Sequence, residues 1–324
     1  MLIALITLAL IFDFLNGFHD SSNIVATVIS THALKPRTAL LLTALGEFIG
    51  PFLFGVAVAK AVGEGLLLSS AITLQVMIAA LVGAIIWNLI TFFLGIPSSS
   101  SHALIGGLLG AAITGAGFGV IQSPGLIKIL IALFISPPLG FLMGYLITKL
   151  VFLLSFRATP RVNQLFKRIQ IPTSFALALS HGANDAQKTM GVITLGLVIA
   201  QPGTSFEVPV WVIFVSAAAI ALGTSFGGWR LIRTLGGRIF RVRPVHGLSS
   251  QVAGASVILG AALLGGPVST TQVMSSSIMG AGAAERVNMV RWHVARDLFV
   301  AWVLTIPVAA LVAAVAYLIL SSFI

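Results

Sequence analysis

Two aspartates far apart in this chain sit in matching surroundings, NGFHDSSN around Asp20 and HGANDAQK around Asp185, with Gly17 aligned to Gly182 at an offset of 165 residues. Both lie in long apolar stretches, where an ionised carboxylate is costly and marks a cavity, a pore or a partner. Asn23 follows the first aspartate and Asn184 precedes the second. Carboxylate and amide oxygens together suit a hard cation, so Asp20, Asp185 and Asn184 are candidate cation ligands. His19, His102 and His181 add side chains able to relay protons near neutral pH. Asp13 and Glu47 also fall inside apolar segments, and Lys188 is the one base there. Lys188 has two readings, paired with Glu47 or reaching back to the interface. The set expected to couple cations or protons is Asp20, Asn23, Glu47, Asn184, Asp185, Lys188 and His19. The glycines of both motifs predict helix interruptions at Gly17 and Gly182.

A second element also occurs twice. GIPSSSSHALIGGLLGA from Gly95 matches GGPVSTTQVMSSSIMGA from Gly265 at an offset of 170 residues. Proline followed by hydroxyl residues is the pattern of a helix start, where free N–H groups, hydroxyls and the positive end of the helix dipole suit a phosphate-like anion. Candidate anion ligands are Ser98, Ser99, Ser100 and Ser101 in the first copy and Ser269, Thr270 and Thr271 in the second. An isolated serine in a membrane helix more often caps an end or bonds a neighbouring helix. Four in a row with a counterpart in the same order are harder to explain that way.

The elements that position these groups follow from composition. Of 324 residues, 58% are hydrophobic and 8% charged, which excludes an ordinary soluble domain. A bilayer core of about 30 Å takes roughly 20 apolar helical residues to cross. Crossings are expected near 1–31, 38–59, 71–95, 97–114 and 126–152, then near 171–200, 208–227, 249–265, 267–284 and 297–323. The two short ones, 97–114 and 267–284, are alternatively arms of re-entrant hairpins. The net charge of +10 comes from clusters: fifteen Lys and Arg fall in connectors on one side of this thread and two on the other. That is the positive-inside pattern of cytoplasmic loops, not a nucleic-acid face. Both termini are then extracytoplasmic. Met1 to Phe12 lacks a basic leader and a cleavage site and is read as the first crossing.

Five crossings per half is odd, so the halves are expected to be inverted: 1–154 as the first repeat, 155–170 as a basic cytoplasmic connector, and 171–324 as the second repeat. The fold class is all-α, a polytopic membrane protein whose broken or re-entrant helices meet at a midplane site. No polar stretch is long enough for a soluble ATPase, and the absence of cysteine removes thiolate chemistry. An anion beside two carboxylates needs compensating cations or protons in a low-dielectric cavity. The residues therefore point to cation-coupled oxyanion symport, a carrier and not an enzyme. An intramembrane aspartyl protease would need glycine where Asn184 stands, and Gln187 breaks the near P-loop at Gly182 to Thr189. A passive anion channel would use the same helix starts.

These residues resemble the inorganic phosphate transporter (Pit) family of membrane symporters. The likeness rests on GFHD and GAND, on Pro97 to His102 and Pro267 to Gln272, and on WHVARDLFVAWVLTIP from Trp292 to Pro307. It implies inorganic phosphate held near the Ser/Thr segments, cation ligands from the Asn-Asp motifs, a homodimer, and a cytoplasmic membrane with its lipid as surroundings. It implies no cofactor beyond the coupling ion, H⁺ or Na⁺, and a divalent metal travelling with phosphate. His19 and Gln272 depart from the family pattern, and Gln251 stands where sodium-coupled eukaryotic relatives have an acid. Glu47 matches the family's acid, while its counterpart Thr224 is neutral. These departures rank proton coupling ahead of sodium. Sulfate or another oxyanion is the alternative substrate.

Overall fold

Helices carry the architecture of the computed structural model, which describes residues 1–64, 66–68, 72–201 and 203–323. The one β contact among them is an antiparallel bridge between Leu67 and Ile121. The helices are α1 (Leu2–Ser30), α2 (Pro36–Leu53), α3 (Ala57–Glu64), α4 (Leu74–Leu94), α5 (Ser100–Ala116), α6 (Ser123–Leu154), α7 (Val162–Ala200), α8 (Val210–Phe226), α9 (Trp229–Arg233), α10 (Pro244–Leu263), α11 (Thr270–Glu285) and α12 (Trp292–Ser321). Ala71, the expected start of the third crossing, and Ile324, the end of the second half, lie outside the described residues.

The distribution of side chains is that of a protein solvated by lipid. Ile3, Leu154, Leu264 and Leu311 are exposed, whereas Asp13, Asp20, Glu47 and Asp185 are wholly buried. Helices satisfy their own backbone groups, so apolar faces can turn outward and polar groups collect inside. Five helices, α1, α4, α6, α10 and α12, are long and apolar enough to cross a membrane. Two bent pairs, α2 with α3 at 79° and α8 with the turn through Arg238 at 61°, bring the number to seven.

Three expectations change. Gly17 and Gly182 do not interrupt their helices, since α1 and α7 run through them. Their role is close approach: a Cβ at Gly17 would overlap the Ile220 carbonyl of α8, and one at Gly182 the Glu47 carbonyl of α2. Small residues of this kind let membrane helices pack backbone to backbone. The helices break instead at Phe54 and at Gly227. The connector expected over 155–170 is shorter, because α7 already begins at Val162; Phe166 buries against Val245 and Leu248, which favours the helix. Finally, α5 and α11, with 17 and 16 residues, fall short of a crossing and begin in the protein interior. They pack as the second arms of two hairpins, α4–α5 and α10–α11, in agreement with the re-entrant alternative to short crossings at 97–114 and 267–284.

Packing partners exchange between the halves. α1 packs on α8 and α2 on α7; α5 packs on α12 and α6 on α11; α4 packs on α12 and α10 on α6. The basic connectors gather at one end. His32, Lys167, Arg241 and Arg243 line a shared cavity, and Arg291 donates to the carbonyls of Gly237 and Arg238.

Candidate functional site

Spacing on two long helices builds the site. Asp13, Asn16, Asp20 and Asn23 recur every three or four residues and share one face of α1, as His181, Asp185 and Lys188 share one face of α7. The two faces meet where the Asn16 amide donates to Asp185 Oδ2 at 3.3 Å. The start of α11 closes over them. Thr271 donates to Asp20 Oδ1 at 2.7 Å, and the Thr270 hydroxyl lies 3.1 Å from Asp185 Oδ2 and 3.4 Å from Asp20 Oδ2. Asn23 donates to Thr271 Oγ1 at 3.1 Å, and His19 Nδ1 lies 3.1 Å from Asp20 Oδ1.

His181 stands between three carboxylates. Its Nδ1 is 2.9 Å from Glu47 Oε1, and its Nε2 is 3.5 Å from Asp185 Oδ2 and 4.0 Å from Asp20 Oδ2. Thr224 donates to the other oxygen of Glu47. Lys188 is buried and pairs with Asp185 Oδ1 at 2.6 Å, also donating to the Val268 carbonyl at 3.3 Å. Neither expectation for Lys188 holds: it does not reach the interface, and Glu47 is taken by His181 and Thr224. Three buried carboxylates, Asp20, Glu47 and Asp185, thus stand around one lysine and the central His181 imidazole, with His19 beside Asp20. While the imidazoles are neutral the carboxylates outnumber the one ammonium, which gives the site a need for cations or protons.

The donor set suits a cation. Ligand atoms of Asp20, His181 and Asp185 all lie within 4.8 Å of one another. The amide oxygens of Asn16, Asn23 and Asn184 are buried with no hydrogen-bond donor. Asn184, expected among the cation ligands, turns its amide nitrogen to the Gly266 carbonyl at 3.2 Å and keeps its amide oxygen free, while His181 joins the two aspartates.

Both serine-rich segments start helices. Ser99 caps α5, accepting from the His102 N–H at 3.1 Å, and Ser269 caps α11, accepting from the Gln272 N–H at 3.3 Å. Ser98 pairs with Thr91 at 2.7 Å, and Ser99 Oγ also lies 2.7 Å from His102 Nδ1. Ser101 donates to the Val268 carbonyl at 2.9 Å, which brings the two helix starts against each other. All seven hydroxyl residues are buried. Thr270 and Thr271 join the carboxylate cluster and Ser101 touches it through Val268, while Ser98, Ser99 and Ser100 make no bond to it. A separate cavity of about 450 Å³ between α6 and α10 reaches Gly266 and Val268; its walls are mostly apolar, with Lys128, Ser136 and Ser256 among them. Asn16 is absent from the expected residues, and His181, expected only as a proton relay, is the group that meets three carboxylates. The signal was present, for each lies four residues before a motif aspartate and so on the same helical face.

Known proteins resemble this chain in sequence and in fold. The phosphate transporter family matches residues 16–313. The chain belongs to that family. A probable low-affinity inorganic phosphate transporter of Bacillus subtilis is 47% identical over 98% of this chain and 97% of its own length. One from Rhizobium meliloti is 46% identical over 98% and 96%. A solved structure described as the sodium-dependent phosphate transporter superposes with a TM-score of 0.93 at 25% identity, covering 100% of this chain and 99% of that one.

Proposed function

We propose that this member of the phosphate transporter family imports inorganic phosphate by cation-coupled symport across the cytoplasmic membrane, with protons ranked ahead of sodium. The observation that carries this reading is the start of α11 lying directly on two carboxylates, with Thr270 and Thr271 donating to Asp20 and Asp185. A helix start is an anion site, but here its hydroxyls are occupied by acids. Protons or cations on those acids free the hydroxyls for phosphate, so each substrate needs the other. The same charge balance is met when phosphate travels with a divalent metal. The two halves act as inverted repeats, a reading supported by the exchange of packing partners between them. The basic end is cytoplasmic and the termini are outside, in keeping with the gathered arginines.

Sodium is the second reading, favoured by the similar fold of a sodium-dependent transporter. Against it, the neutral Thr224 and Gln251 stand at positions where acids would strengthen a sodium site. Uptake of labelled phosphate into proteoliposomes under an imposed proton or sodium gradient tests both. Proton-driven accumulation blocked by arsenate and not by sulfate is expected. Accumulation under sodium alone would transfer the coupling to sodium, and no gradient-driven accumulation by folded protein would reject symport.

A further inference from the structure

Asp13 is the buried acid that the cluster leaves unused. It lies on α1 seven residues before Asp20, hence on the same face and about 10 Å nearer the N-terminus. Its side chain is wholly buried, and neither carboxylate oxygen has a hydrogen-bond partner. Facing it are Thr189, Asp185 and Lys188 of α7 and Glu47 of α2. The Thr189 hydroxyl is likewise buried without a partner. α4 and α8, also packed on α1, carry no ionisable side chain; α9 follows Gly228, which meets the Phe18 carbonyl, α10 bonds Thr27 through Gln251, α11 bonds Asp20 through Thr271, and the turn 234–238 with Arg238 meets Ala26 and Ser30 through Gly236. Among the described residues Lys188 is therefore the one lysine or arginine facing Asp13, and it is committed to Asp185 and the Val268 carbonyl.

An ionised carboxylate with at most one hydroxyl, Thr189, beside it and no counter-ion of its own is costly in a dry interior. An acid that accepted a proton before the site closed has no such cost. Building on the proton-coupled reading above, we infer that Asp13 carries the coupling proton: it binds H⁺ from water on one side, crosses the closed state as the neutral acid, and returns H⁺ to water on the other. The chemistry is one O–H bond formed at entry and broken at exit, with water as proton donor and acceptor. Lys188 links this acid to the substrate site. An ammonium released from Asp185 lies beside Asp13, where it stabilises the anion and drives the proton off.

Asp13 touches none of the groups expected to hold phosphate, which makes binding and coupling separable. The experiment compares wild type, Asp13→Asn and Asp13→Glu in proteoliposomes. One arm is exchange of external labelled phosphate for internal unlabelled phosphate without a gradient. The other is accumulation driven by a proton gradient. Asp13→Asn is expected to keep exchange within about twofold, to lose accumulation about tenfold or more, and to flatten the pH dependence of uptake, with Asp13→Glu restoring both. Full accumulation by Asp13→Asn overturns the inference, as does loss of exchange and accumulation together in folded protein. The wild-type arms judge the underlying reading on their own: absence of phosphate exchange rejects the substrate, and accumulation under sodium alone rejects proton coupling and the role of Asp13 with it.

Discussion

The two hairpin arms α5 and α11 begin with closely related segments, yet they are held in different ways. α11 presents Thr270 and Thr271 to Asp20 and Asp185, so its hydroxyls are spent on carboxylates. α5 keeps its serines bonded to Thr91, to His102 and to the opposing hairpin at Val268. On the proposed function the difference gives them separate work. The first hairpin would supply anion donors indifferent to the charge of the acids, while the second would supply donors that become available once those acids are neutralised. Repeated sequence marks a shared local structure, a capped helix start; the neighbours then decide what each copy does.

The largest effect is expected at the acid beneath the second hairpin. Asp185→Asn leaves Lys188 buried without its counter-ion, and breaking such a pair costs about 3–5 kcal/mol. Gradient-driven uptake should vanish and the detergent-solubilised protein should unfold at a lower temperature; unchanged uptake would remove Asp185 from the site. Replacing Ser99, Ser100 and Ser101 together with Ala removes three donors worth about 1 kcal/mol each, and should raise the half-saturation phosphate concentration on the order of 100-fold at every cation concentration. An unchanged half-saturation would take the first hairpin out of anion binding. Thr270→Ala with Thr271→Ala should leave phosphate affinity within about tenfold while weakening its dependence on the coupling ion. If this pair behaved like the serine triple variant, the two hairpins would be equivalent after all. The smallest effects belong to the caps: Ser269→Ala should cost about 1 kcal/mol of stability, read as a shift in thermal unfolding, with transport retained in what remains folded.

Much of this was legible in the sequence because it is local. Apolar runs long enough to cross, basic connectors and Pro-Ser helix starts are each written within about twenty residues. What escaped depends on neighbours distant in the chain. Gly17 and Gly182 look like helix breakers until the Ile220 and Glu47 carbonyls are seen against them. The partner of Glu47 is His181, on another helix, while Lys188 turns to Asp185 three residues away on its own. Spacing places Asp185, His181 and Lys188 on one face, but only the packing of α2 against α7 decides which acid each base meets.

The account stands on cation-controlled donors at the start of α11, and equilibrium binding of labelled phosphate to the purified protein tests this most directly. Affinity would be measured across a series of pH values and sodium concentrations for wild type, the Ser99 to Ser101 alanine variant and the Thr270/Thr271 alanine variant. Wild-type affinity should climb as protons or sodium are supplied, the serine variant should be weaker throughout with the same climb, and the threonine variant should bind with little response to either ion. A threonine variant that keeps the full wild-type response would contradict the account.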